Sequence, residues 1–344
     1  LELCPTDIGD AVEQRLVEAY ARQGVPYSVH LDLTHRCDLR CRHCYLEKRV
    51  PDGLDTEEWR SVLDDLAELK VFQLIVSGGE PLLRDDLFEL LSHARKRRFA
   101  VILKTHGGLI DAERAQKLRD AGVKRVDLSL YAMDPNIHDA ITTRPGSLDA
   151  TLRAIEHLLG VGLRVRSSSP VMTANIDHVE RVQAWTAERG IVHLLSPGLL
   201  PGNQGSDLDA TWGLDKPGLQ HFASLESREH VQKLPAPEEP LCGAGWFGAY
   251  IGPSGDARPC SMWPEIAGDV RHTPFSVLWQ HAPAFRSLRT LRHGNRNACL
   301  DCTLRPYCTP CAARSMHETG DPQKPASFDC ALAAARAQRE GKRS

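Results

Sequence analysis

The chain has 344 residues and a formal net charge of −3, with a pI near 6.6. That length supports one large domain, or a large domain with a small one, and the charge balance excludes a global nucleic-acid footprint. No apolar run is long enough to span a bilayer and no secretory signal pattern opens the chain. The eleven cysteines therefore point to a reducing compartment, the cytoplasm, where thiols bind metal more often than they pair.

Residues 5 to 24 predict an amphipathic helix, with Ile8, Val12, Leu16 and Tyr20 at i+4 spacing and Pro26 ending it. Residues 28 to 33 alternate like a short strand. A helix is expected over 56–69, with Thr56 as its N-cap, and a strand over 72–76. A helix over 85–96 and a strand over 100–104 follow, then a helix over 111–121 and a strand over 125–130. The pattern continues with a helix over 147–160, a strand over 163–168, a helix over 177–189 and a last strand over 192–195. This alternation predicts parallel βαβ units with right-handed crossovers. Residues 197 to 240 are rich in Pro, Gly, Asn and Asp, which marks a bridging segment with a short helix near 219–227.

The chemistry-bearing residues cluster. Cys37, Cys41 and Cys44 form C-x3-C-x2-C, followed by Tyr45. Three thiolates on one loop suit three corners of an iron–sulfur cubane and leave one iron open. Ser77-Gly78-Gly79-Glu80-Pro81 closes the second strand, where two glycines let backbone approach a ligand. Thr105-His106-Gly107 closes the third strand, and Ser129 the fourth. Arg164 and Arg166 share one face of the fifth, with Arg166 nearer its C-terminal end. A guanidinium there suits a bidentate carboxylate. Arg144 and Asn175 lie in loops. Seven more cysteines stand near the C-terminus: Cys242, Cys260, then Cys299-x2-Cys302-x5-Cys308-x2-Cys311, and Cys330. Thiolate tetrads also suit zinc, so a pair of zinc sites on a scaffold or partner-binding protein is the alternative from another class. His35, His43 and His106 read equally as solvated loop residues and as catalysts, and no general base is identified.

In these motifs the chain resembles radical S-adenosylmethionine (radical SAM) enzymes that carry a C-terminal SPASM extension. The resemblance implies an α/β fold: a partial (β/α)6 TIM-like barrel followed by a small cysteine-rich domain. It divides the chain into an N-terminal helix (1–27), the barrel (28–200), the bridge (201–240), the SPASM domain (241–335) and a tail (336–344). It implies three [4Fe-4S] clusters and SAM as cofactors. Cys37, Cys41 and Cys44 would hold the SAM-binding cluster. Gly78, Gly79 and Glu80 would bind the SAM amino group, Ser129 its ribose or carboxylate, and Arg166 its carboxylate. Cys299, Cys302, Cys308 and Cys330 would hold the outer auxiliary cluster, and Cys242, Cys260 and Cys311 the inner one. Relatives commonly have Thr-Asn-Gly where this chain has Thr105-His106-Gly107, and three residues where Thr309 and Pro310 stand.

The implied activity is reductive cleavage of SAM to a 5′-deoxyadenosyl radical, hydrogen abstraction, and oxidative modification, as a cross-link, of a ribosomally made peptide. A tetrapyrrole or other small-molecule maturase is the enzyme alternative. The implied partners are a precursor peptide and an electron donor such as a flavodoxin or ferredoxin. About 27 residues precede the first strand, fewer than a winged-helix recognition domain needs, so a leader would bind a separate protein or the barrel itself. Sulfatase-maturing relatives carry an aspartate after the cysteine matching Cys260; Ser261 argues against that route to serine or cysteine oxidation.

Overall fold

The computed structural model describes residues 11–226 and 234–341. Residues 5–10 of the first expected helix and Ser227 of the short helix in the bridge lie outside them. The elements run α1 Ala11–Gln23, β1 Ser28–Asp32, α2 Thr56–Glu68, β2 Gln73–Ser77, α3 Leu87–Lys96, β3 Ala100–Thr105, α4 Ala112–Asp120 and β4 Arg125–Ser129. They continue with α5 Pro135–Thr142, α6 Ser147–Gly160, β5 Arg164–Pro170, α7 Val179–Ala187 and β6 Val192–Ser196. The second half holds α8 Leu208–Trp212, α9 Lys216–Leu225, β7 Gly248–Ile251, β8 Asp256–Arg258 and β9 Gly268–Asp269. Helices α10 Phe275–His281, α11 Pro283–Thr290, α12 Asn297–Leu300, α13 Ala312–Thr319 and α14 Ser327–Gly341 complete it.

Strands β1 to β6 lie in order and parallel, as the alternation predicts. On its other edge β1 pairs in parallel with β7, and antiparallel β8 and β9 follow. The sheet thus gains a seventh parallel strand from the cysteine-rich half of the chain. Alternate residues face opposite sides of each strand. Leu31, Val76, Leu103, Leu128 and Ile251 point outward into the main core with Trp59, Leu90 and Phe285. Helix α10 joins this layer: the Ser276 hydroxyl donates to Asp65 of α2 (2.6 Å), and the Trp279 indole to the Gly24 carbonyl (2.7 Å).

Local chemistry explains the differences from the expected elements. Asp55, not Thr56, caps α2, because its carboxylate reaches the Glu58 amide while Glu58 returns to the Asp55 amide. Thr56 takes the first helical position and donates to Asp86 (2.7 Å). Helix α5, absent from the sequence expectation, starts where Asp134 caps and Pro135 presets the first turn. In the bridge, α9 packs on α14 through Phe222, Leu332 and Ala335. The Arg336 guanidinium donates twice to Glu226 (2.8 and 2.6 Å). Helix α14 itself runs unbroken through 335/336.

Candidate active site

The cysteine loop leaves β1 at Asp32 and is seated on the turn after β2. The Gly79 amide donates to the Thr34 carbonyl (2.7 Å) and the Glu80 amide to the Arg36 carbonyl (2.8 Å). A Cβ on Gly78 would lie 2.2 Å from the Thr34 carbonyl oxygen, and one on Gly79 2.4 Å from that of Arg36. Gly78 also has φ +140°, a backbone that L side chains avoid. The Gly-Gly pair is therefore required by backbone-to-backbone contact with the loop.

Arg49, to which no motif points, clasps the loop from its far end, donating to the Cys37 and Leu39 carbonyls (2.6 Å each). Two inward-turned guanidinium bonds to carbonyls leave no signal in the sequence. Next to Cys44, the Tyr45 hydroxyl donates to Asp32 (2.7 Å) beneath the loop, as does Tyr250 from β7 (2.9 Å). His30 lies 3.0 Å from the other oxygen of that carboxylate. Strand β7 thus supplies a hydrogen bond to the floor of the site.

The three loop thiols interact electrostatically with one another, and burial pushes Cys37 and Cys41 up to about 12. Tyr131 touches Cys41. A cavity of about 250 Å³ opens beside the loop, lined by Leu39, His106, Ser129, Tyr131 and His138 among others. Ser129 thus lines the same cavity as Leu39 of the loop. Arg166 does not stand near the end of its strand: β5 runs to Pro170, making Arg166 third of seven residues. Its guanidinium reaches Asp127 across the sheet (2.5 and 3.2 Å), and Arg125 shares that carboxylate (2.6 Å). Arg144 tethers the loop by an ion pair with Asp38. Asn175 is fully buried and holds its turn through the Tyr131 and Pro170 carbonyls (3.2 and 3.1 Å).

The loop histidines are not solvated. His35 is 8% exposed. Burial holds the His43 imidazole down at about 4, and its Nε2 lies 3.4 Å from the Tyr131 hydroxyl. The His106 side chain is 13% exposed and sits between two carboxylates.

The C-terminal cysteines form two groups. Cys242, Cys260 and Cys311 pack on one small core with Leu241, Trp263 and Leu288. Cys308 and Cys330 interact electrostatically with Cys299, and Cys330 also with Cys302. Burial pushes Cys260 up to about 11 and Cys308 to about 12. Cys311, at the shortened spacing, caps α13, and its amide donates to Asp329 (2.8 Å). A zinc ion with Zn–S bonds of about 2.3 Å in a tetrahedron draws its sulfurs to within about 3.8 Å. Among the described residues no three cysteine sulfurs lie within 4.8 Å of one another. The donors are therefore not gathered as tightly as a single tetrahedral ion requires.

A sequence profile of the Radical SAM superfamily matches residues 31–185, and one of the SPASM iron-sulfur cluster-binding domain matches 242–303. The mycofactocin maturase MftC of Mycolicibacterium smegmatis is 31% identical over 314 residues, covering 84% of this chain and 78% of that protein. The chain belongs to the radical SAM superfamily. This radical SAM enzyme is also 28% identical over 333 residues to the AdoMet-dependent heme synthase of Methanosarcina barkeri, covering 88% of this chain and 95% of the relative. Its fold matches native anSMEcpe with bound AdoMet (TM-score 0.71, 16% identity, 92% and 98% covered) and Streptococcus suis SuiB (0.69, 17%, 93% and 82%). Iron–sulfur clusters and SAM are its cofactors. Cys308, Cys311 and Cys330 lie beyond the SPASM match, yet Cys311 packs with Cys242 and Cys260 inside it, and Cys308 and Cys330 interact electrostatically with Cys299. Among the described residues no helix is long and apolar enough to cross a membrane.

Proposed function

We propose that this radical SAM enzyme is a maturase that oxidatively cross-links a ribosomally made peptide, with three [4Fe-4S] clusters. The observation that carries the site assignment is a loop of three thiols seated by backbone hydrogen bonds on the Gly78–Gly79–Glu80 turn. Cys37, Cys41 and Cys44 hold the SAM-binding cluster. Gly78, Gly79 and Glu80 meet the SAM amino group, and Ser129 its ribose or carboxylate. Arg166 reaches the SAM carboxylate only by sharing itself with Asp127. Cys299, Cys302, Cys308 and Cys330 hold one auxiliary cluster, and Cys242, Cys260 and Cys311 the other. Bound there, cluster and SAM supply a 5′-deoxyadenosyl radical, while the chain orients the substrate and excludes water.

Support for a peptide comes from the maturase relative, and from the PqqA peptide cyclase of Granulibacter bethesdensis at 30% identity over 77% of this chain. The precursor peptide and a flavodoxin- or ferredoxin-type donor are the partners, in the cytoplasm. A small-molecule maturase is the second reading, favoured by the heme synthase match along nearly that protein's whole length. The test is anaerobic co-expression with a short peptide encoded beside the gene, followed by high-resolution mass analysis. Loss of two hydrogens at residues located by fragmentation is expected. An unchanged peptide from protein that still cleaves SAM supports the second reading. Cys41→Ala is expected to abolish 5′-deoxyadenosine formation; a normal yield refutes the cluster assignment.

A further inference from the structure

His106 stands where relatives of this branch commonly have asparagine, and the fold gives it a specific place. The Gly108 amide donates to its Nδ1 (2.9 Å), so Nδ1 is the acceptor and Nε2 carries hydrogen. That N–H lies 2.8 Å from Asp38 Oδ1 and 3.1 Å from Glu80 Oε2. One imidazole thus spans the cysteine loop and the Gly-Gly-Glu turn. The approach depends on the two glycines that follow. Gly107 has φ +82°, and a Cβ on it would meet Leu128 at 2.4 Å; a Cβ on Gly108 would crowd the imidazole itself at 3.0 Å. The backbone is held as well. The His106 amide donates to Glu80 (3.1 Å), and its carbonyl accepts from the Thr151 hydroxyl of α6 (2.9 Å).

The pair borders a cluster ligand. The Cys37 sulfur, an Asp38 oxygen and a His106 nitrogen all lie within 4.8 Å of one another. A carboxylate this close opposes the arrival of an electron on a cluster held by Cys37, and the groups that hydrogen-bond it moderate the opposition. Asp38 also has a cationic partner in Arg144, but that side chain is 51% exposed and screened by water and salt. His106 is the sheltered partner.

We propose that His106 is a positioning residue which, through Asp38, sets the reduction potential of the SAM-binding cluster. This rests on Cys37, Cys41 and Cys44 being that cluster's ligands. His106 and Asp38 act by fixed charge and hydrogen bonding beside the loop, so the readout is a potential rather than turnover.

The test uses the full chain, reconstituted anaerobically. The SAM-binding cluster is recognised as the paramagnetic signal that changes on adding SAM and is missing in Cys41→Ala. Its midpoint is then measured by redox titration. In His106→Ala, with iron content retained, the midpoint is expected to move to more negative potential. His106→Gln, which keeps an N–H donor at similar reach, is expected to restore it. Asp38→Asn is expected to move it the opposite way, and adding His106→Ala to that variant to have a smaller effect than it has alone. An unchanged midpoint in His106→Ala, or an equal shift in both backgrounds, overturns the proposal. If the alanine variant loses the cluster, Asp38→Asn decides, since it leaves His106 in place; an unchanged midpoint there also overturns it. A SAM-responsive signal that survives Cys41→Ala overturns the ligand assignment and the proposal together, which separates that failure from the first.

Discussion

Replacing Gly79 with alanine tests whether the cysteine loop and the Gly-Gly-Glu turn are one mechanical unit. The added Cβ would lie 2.4 Å from the Arg36 carbonyl oxygen and 2.8 Å from that of His35. Both are backbone atoms, so no side chain can swing aside. Relief requires the turn to withdraw from the loop, giving up the Gly79–Thr34 and Glu80–Arg36 hydrogen bonds. Each bond contributes about 1 kcal/mol, and forced overpacking costs about 1–3 kcal/mol. Because withdrawal relieves the overlap, the two costs are alternatives, and a penalty of about 2 kcal/mol, at about 1.4 kcal/mol per tenfold, raises local opening roughly 30-fold. Amide hydrogen exchange with mass-spectrometric readout measures this directly on peptides spanning the loop and the turn. Gly160→Ala is the control: Gly160 ends α6, and a methyl added there would find nothing within 4 Å. Its exchange is expected to match wild type or slow slightly. Wild-type exchange in Gly79→Ala would refute the argument that backbone contact couples the two motifs.

Cys302→Ala is expected to lower iron content by about four per chain and to spare some SAM cleavage while product is lost. Full product turnover would show that the outer auxiliary cluster carries no electron in the reaction. A pH effect follows from His193, which burial holds down at about 4 between the Ser167 and Ser169 hydroxyls (2.8 and 3.2 Å). The unfolded chain takes that proton near 6.5 and the fold only near 4. The contribution is therefore fully present above about pH 6.5 and lost as pH falls through about 4, up to roughly 3 kcal/mol. Denaturant midpoints at pH 7.5 and pH 5 should differ less in His193→Asn than in wild type; an equal difference removes His193 as a source of the acid sensitivity. His43 and His138, held down at about 4 by the same burial, act in the same direction.

Much of the fold and the site is legible in the sequence because it is local. The three loop cysteines are close neighbours in the chain, and the glycines after β2 precede Glu80 directly. The six parallel strands show as short apolar or alternating runs set between helical periods. Asp134-Pro135 is a readable helix start that periodicity by itself passes over. The expected cap of α2 is displaced by one residue because Asp55 and Thr56 are both capping types, and only the position of Glu58 decides between them. Arg166 is misplaced by the sequence pattern because the polar run Ser167-Ser168-Ser169 carries no apolar signal, although it continues β5 to Pro170.

What the amino-acid sequence determined alone was the chemistry on offer: three thiols on one loop, seven more toward the C-terminus, and the parallel α/β scaffold that places strand ends together. What only the tertiary structure decided was which distant groups meet. Tyr250 reaches Asp32 across 218 residues and His106 reaches Asp38 across 68. Strand β7 closes against β1, and one small core gathers Cys242, Cys260 and Cys311 apart from the other later cysteines. Ligand type and loop geometry are properties of a few consecutive residues, whereas these pairings depend on how the whole sheet winds. Burial then sets the electrostatics. A histidine with no helical or strand period around it reads as a solvated loop residue until the folded chain places two carboxylates beside it.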